Sequence, residues 1–126
     1  MQNANALNWF EIPAADINRA KKFYETIFNM DMGEVVDMMG MQMAFFPATE
    51  NKVSGGLCKS EMHTPSQNGA IVYLNANEEG MDNVLNRVEQ AGGTVAMPRT
   101  QITPEIGYMA FFVDSEGNKM ALHSNN

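Results

Sequence analysis

An α+β fold made of two β-α-β-β-β modules is predicted by three features of the 126-residue sequence. Met43-Ala44-Phe45-Phe46 recurs as Met109-Ala110-Phe111-Phe112, 66 residues later, and each copy is followed by a polar turn and then Asn-Lys (Asn51-Lys52, Asn118-Lys119). Ala20, Phe23, Tyr24 and Ile27 fall at i, i+3, i+4 and i+7, and Met81, Val84, Leu85 and Val88 repeat that spacing 61 residues on. Each set lies on one helical face, which a sheet or another helix must cover. Around each helix, runs of apolar, aromatic and β-branched residues alternate with turn residues, as strands do. The two halves, about 1–60 and 69–126, are expected to form one domain with a pseudo-twofold axis, each sheet curved around a cavity with its helix outside.

The first strand is read over 7–12. Asp16 opens the first helix, because its carboxylate can accept the orphan N–H groups of the first turn and suits the positive end of the helix dipole. That helix is expected to end near Phe28, with Asn29 or the 31–33 stretch reversing the chain, since Asn tolerates the left-handed conformation. Strands follow at about 33–38, 41–46 and 52–59, with turns at Met39-Gly40 and 47–51. Residues 61–68, containing Pro65, Ser66 and Gln67, read as the linker. The second half repeats the order: a strand over 69–74, then a helix opened by Asn77-Glu78-Glu79 and closed by Gly92-Gly93. Strands at about 94–102, 108–113 and 118–124 complete it, with turns at Pro104-Glu105 and 114–117.

Composition narrows the function classes. Eight basic against fifteen acidic residues give a formal charge of -7, so a DNA duplex or an anionic membrane would repel the chain on average. No apolar run approaches the ~20 residues that span a bilayer, and no basic-then-apolar leader opens the sequence, which points to a cytoplasmic protein. One cysteine, Cys58, excludes an intrachain disulfide framework. No histidine at the spacing of a nucleophile pair accompanies it, although His63 is five residues on, and it reads as a buried, inert thiol. Six of the twelve methionines lie between Met30 and Met43, a cluster that suits an adaptable pocket, a core or a subunit contact equally.

Leu7-Asn8-Trp9-Phe10-Glu11-Ile12-Pro13, Asp16-Ile17 and Ala20-Lys21-Lys22-Phe23-Tyr24-Glu25 together resemble the opening of glyoxalase/bleomycin-resistance/dioxygenase proteins, the vicinal-oxygen-chelate superfamily. Phe111-Phe112-Val113-Asp114-Ser115-Glu116-Gly117-Asn118-Lys119 is similar to the strand–turn–strand near its end. The resemblance spans the chain and implies the paired-module fold. It does not fix an activity, because one fold hosts many chemistries. In metal-using members it implies one His, Gln or Glu ligand on each of the first, fourth, fifth and eighth strands. Seven residues before Asp16 stands Trp9; the 61-residue offset then points to Ala70; the eighth-strand position falls on Ala121; and the fourth-strand position falls on Ser54, or on Gly56 if the register slips by two. None is a competent ligand, so neither a metal at these positions nor another cofactor is expected.

Strand parity selects the other residues of the same face. Glu11 lies two beyond Trp9, and Lys119 and His123 flank Ala121. Glu11 and His123 are the candidate catalytic acid and base. Trp9, Ala70, Tyr108, Lys119 and Ala121 are the candidate substrate-binding residues, with Trp9 a stacking wall for a planar ligand and Tyr108 a hydroxyl at the mouth. The expected function is binding of a small apolar or aromatic molecule in a sheet-lined cavity: sequestration, sensing, or lyase-like catalysis without the usual metal. The alternatives are a metal-dependent lyase or dioxygenase using Glu11 and His123, and a structural module. Two apolar sheet faces in so short a chain lead to the expectation of a homodimer, with no nucleic-acid or membrane partner.

Overall fold

The computed structural model describes residues 5–126; the first four residues of the expected first module lie outside them. The first module comprises β1 (Trp9–Pro13), α1 (Ile17–Phe28), β2 (Val36–Met38), β3 (Met41–Phe45) and β4 (Ser54–Lys59). The second comprises β5 (Tyr73–Asn75), α2 (Met81–Ala91), β6 (Thr94–Thr103), β7 (Gly107–Val113) and β8 (Lys119–Ser124). Each forms a four-stranded mixed sheet of the same connectivity, β1-β4-β3-β2 and β5-β8-β7-β6, with the outer first strand parallel to the last. The duplicated fold is therefore present element for element.

Local chemistry sets the helix ends. The Asp16 side chain accepts the Arg19 backbone N–H at 3.0 Å, and Asn29 closes α1 in the left-handed region at φ 50°. At the other module the expected start moves. Asn77 to Glu79 form a turn, not the first helical turn, and α2 begins after Gly80, whose N–H bonds to the Ala76 carbonyl at 2.9 Å. Asn77 turns elsewhere, its Oδ1 accepting from the Asn125 N–H at 2.7 Å. Gly92 ends α2 at φ 111°, where a side chain would be strained.

Alternation divides each sheet into two faces. One face of each carries Ile12, Ala44 and Leu57, or Leu74, Phe112 and Leu122, into a single core with α1 and α2, which also pack on each other. Phe112 of the second module lies 6.0 Å from Phe23 and 6.4 Å from Tyr24 of the first, centroid to centroid. The helices therefore occupy the space where the halves meet. The opposite faces are turned to solvent and do not close over a common cavity in one chain: Trp9 is 42% exposed and Tyr73 49%.

The 114–117 turn fastens the modules. Asn118 donates through Nδ2 to the Pro13 carbonyl at 2.7 Å, and the Tyr24 hydroxyl donates to Asp114 Oδ2 at 2.7 Å. Glu116 accepts the Ala15 and Asp16 N–H groups at 2.9 and 2.8 Å, and Arg19 engages both its oxygens. Burial disfavours the Glu116 charge, yet Arg19, the helix N-terminus and Ser115 hold its carboxyl below the ordinary range. Burial, then Asp114, pushes the Tyr24 phenol well above its usual value, so it remains a donor.

Candidate functional site

Register places the candidate residues. In the parallel β1–β4 pair Trp9 faces Ser54, Glu11 faces Gly56 and Pro13 faces Cys58, while antiparallel β3 sets Met43 beside Cys58 and Phe45 beside Gly56. These residues share the face away from the helices. Trp9 and Phe45 rings lie 5.9 Å apart at 56°, forming an aromatic wall.

Glu11 is the polar centre of this face. One carboxylate oxygen, Oε2, accepts the Trp9 indole N–H at 3.2 Å; the other, Oε1, lies 2.7 Å from His63 Nε2. An ionised carboxylate only accepts, so Nε2 carries the proton. The other nitrogen, Nδ1, is 2.6 Å from Ser60 Oγ, within the Ser60–His63 turn that follows β4. The His63 hydrogen bond holds the Glu11 carboxyl below its ordinary range against the opposing effect of burial, with Trp9 adding to it. Cys58, fully buried beside them, has its thiol pushed up to about 12 by burial and then by the Glu11 charge. It is therefore a neutral thiol and no nucleophile as it stands.

The lowered Glu11 value has a measurable consequence. The chain holds one tryptophan, and it is bonded to this carboxylate. On acidification Trp9 emission is expected to change with a midpoint below the ordinary glutamate value of about 4.3. Because the folded pKa is the lower one, the associated stabilisation is present above the unfolded-state value and fades as pH falls through the folded one. Glu11→Gln should abolish the transition; a wild-type midpoint at or above the ordinary value would contradict the assignment.

The second sheet sets Tyr73 beside Ala121 and Asn75 beside His123, with Phe111 and Met109 on the same open face. His123 does not meet Glu11. Its Nε2 bonds to the Ile106 carbonyl at 2.7 Å, in a groove with Tyr73, Asn75 and Ile102. Glu11 instead shares a groove of about 190 Å³ with Ala70 and Lys119 at the junction of the modules. The expected single cavity lined by Trp9, Glu11, Ala70, Ala121 and His123 is thus not assembled in one chain, because the sheets meet through their helix sides.

Two further expectations are corrected. Tyr108 pairs with Ser124 and shares parity with Ala110 and Phe112, so it packs against the core beneath Arg99, whose guanidinium carbon is 3.7 Å from its ring centroid. Ala70 precedes β5 and is exposed. The matching bonds from Ala14 N to the Cys58 carbonyl and from Ala76 N to the His123 carbonyl relate β1 to β5 by 62 residues, not 61, and β4 to β8 by 65. That single step changes the face, and makes Ile71 the counterpart of Trp9. By the same bonds Gly56 is the counterpart of Ala121. His63, which sequence spacing did not single out, is the residue that completes the polar cluster.

Residues 6–122 match the family profile of the Glyoxalase/Bleomycin resistance protein/Dioxygenase superfamily. The chain belongs to that superfamily. A glyoxylase-like domain-containing protein from Didymella fabae is 25% identical over 118 residues, covering 92% of this chain and 91% of that protein. A glyoxalase/bleomycin resistance protein from Albidiferax ferrireducens has a TM-score of 0.71 at 18% identity, covering 97% of this chain and all of that one. A glyoxalase I mutant from Zea mays gives a TM-score of 0.71 at 22% identity, the match covering 94% of this chain and 46% of the maize protein. The positions that the resemblance implies for a metal, carried through the observed strand register, fall on Trp9, Gly56, Ile71 and Ala121, and these side chains do not fit a divalent ion. Space agrees: a Cβ at Gly56 would stand 3.0 Å from the Ala44 carbonyl and 3.2 Å from the Phe45 ring. Among the described residues no helix is long and apolar enough to cross a membrane.

Proposed function

We propose that this superfamily member binds a small apolar or aromatic molecule against its open sheet faces and does so without the usual metal positions. The observation that carries the reading is Trp9, a half-exposed ring standing where metal-using relatives are expected to bear a ligand, and backed by Phe45. An aromatic face with a polar tip stacks a planar ligand and orients its polar edge. Glu11, held ionised beside it, supplies an acceptor for a donor group on that ligand. The second half of the site is supplied by another copy of the chain. Exposed Trp9, Val36 and Met38 on the first sheet, and Tyr73 on the second with Ile71 and Ile106 in its flanking segments, are apolar surface that a homodimer covers. Such pairing would set a first-module face against a second-module face, and His123 within reach of the Trp9 wall.

The test is equilibrium binding of planar aromatic compounds to metal-free protein, with sedimentation at micromolar concentration. Trp9→Ala is expected to weaken binding by roughly 1–3 kcal/mol, the scale of an aromatic contact and its buried area. Unchanged affinity in that variant would remove the stacking role, and a monomer at those concentrations would remove the shared site.

A further inference from the structure

Beside the Trp9 wall, the fold brings together three side chains, of which the ligand-binding reading uses only the Glu11 carboxylate. The Glu11 carboxylate, the Cys58 thiol and the His63 imidazole each offer a donor atom, and these atoms all lie within 4.8 Å of one another. They come from β1, from β4 and from the turn that follows it. The β1–β4 pair fixes the first two, with Pro13 opposite Cys58, and the Ser60–His63 bridge fixes the third.

We propose that Glu11, Cys58 and His63 bind a zinc-class divalent cation at a position displaced from the superfamily's usual ligand set. The inference goes beyond the planar-ligand reading and does not depend on it. Sulfur, nitrogen and oxygen donors in one cluster suit zinc and its neighbours, whereas calcium and magnesium take oxygen alone. Bond lengths of about 2.0–2.3 Å put the donors around one such ion roughly 3–4 Å apart. The cluster therefore needs the 2.7 Å contact between Glu11 and His63 to open by only ~1 Å for an ion to enter.

The supporting contacts have the pattern that orients ligands. The remaining nitrogen of His63 is engaged by Ser60 at 2.6 Å, which leaves Nε2 aimed at the cluster. The remaining oxygen of Glu11 takes the Trp9 N–H at 3.2 Å, which leaves Oε1 aimed the same way. Cys58 is completely buried, and its sulfur lies within 4.8 Å of the other two donor atoms. Binding releases the thiol proton to solvent and requires the imidazole proton to move from Nε2 to Nδ1, where Ser60 Oγ accepts it. Three protein donors leave one coordination position for water or a bound molecule. The opposing account is a hydrogen-bonded clasp, in which Glu11 and His63 merely hold the turn against β1.

Cobalt(II) separates the two. Added to chelator-treated full-length protein, it should bind at one equivalent and produce the near-ultraviolet sulfur-to-cobalt charge-transfer absorption that only thiolate ligation supplies. Cys58→Ser should abolish that band. His63→Ala should weaken cobalt binding by about tenfold or more, and circular dichroism should show both variants folded. Absence of the band in wild-type protein at stoichiometric cobalt overturns the proposal, and so does a folded His63→Ala variant that binds cobalt as wild type does. Planar-ligand binding is measured on metal-free protein, so either reading fails without the other.

Discussion

Replacing Asp114 with alanine is expected to lower the stability of the chain by about 3–5 kcal/mol, the scale of losing one member of a buried charged network. Asp114 is 3% exposed, and every lone-pair direction is used. Oδ2 accepts from the Tyr24 hydroxyl at 2.7 Å and from Asn118 Nδ2 at 3.0 Å; Oδ1 accepts from the backbone N–H groups of Glu116 and Asn118, both at 2.9 Å. Alanine would strand these donors in the interior, where an unpaired polar group bears its full desolvation penalty. Tyr24→Phe removes one donor and leaves the rest of the network intact, so its effect should be much smaller, about 1–2 kcal/mol. Urea denaturation midpoints compare the two. A loss below about 1 kcal/mol in Asp114→Ala would mean that the turn does not anchor the first module.

Phe112→Ala should cost a similar amount, about 3–5 kcal/mol, from lost transfer energy and the cavity left behind. The residue is fully buried and reaches across the module boundary to Phe23 and Tyr24. Because it belongs to the core of both halves, the variant should still unfold in one transition seen alike by far-ultraviolet circular dichroism and by Trp9 fluorescence, a first-module probe. Two separated transitions would show that each module has its own core.

Most of the fold is legible in the sequence, because it is written in local chemistry. Asp16, Asn29 and Gly92 mark helix ends through the backbone groups they satisfy or the left-handed conformation they adopt, and the helical spacing of Ala20 to Ile27 needs no partner to be recognised. The site is less so, since it depends on register between distant strands. Trp9 and Ala121 lie on the open faces, each a short count from a local marker, Asp16 and the Asn118-Lys119 turn, and Glu11 follows from Trp9 by strand parity. Ala70 is one position off because the 61-residue offset of the helices carries it across from the other module, whereas β1 and β5 are related by 62. Tyr108 stands near the start of its strand, as the sequence implies, but its face is set by pairing with Ser124, and it is the neighbouring Met109 that lies on the open face. His63 was passed over because nothing local connects it to Glu11; only the parallel pairing of β1 with β4 brings a turn 52 residues away onto the same carboxylate.

The turn at 114–117, with Asn118 after it, is where the resemblance at the end of the chain is concentrated, yet its polar atoms are committed to Pro13, Ala15, Asp16, Arg19 and Tyr24. It is a join between halves. Trp9 and Ile71, by contrast, are solvent-facing. At this end of the chain, the residues that mark ancestry are therefore not the ones proposed to meet a ligand. A descendant of this chain could exchange the side chains on its open faces, and with them its ligand, while this join and the signature of lineage it carries stayed in place.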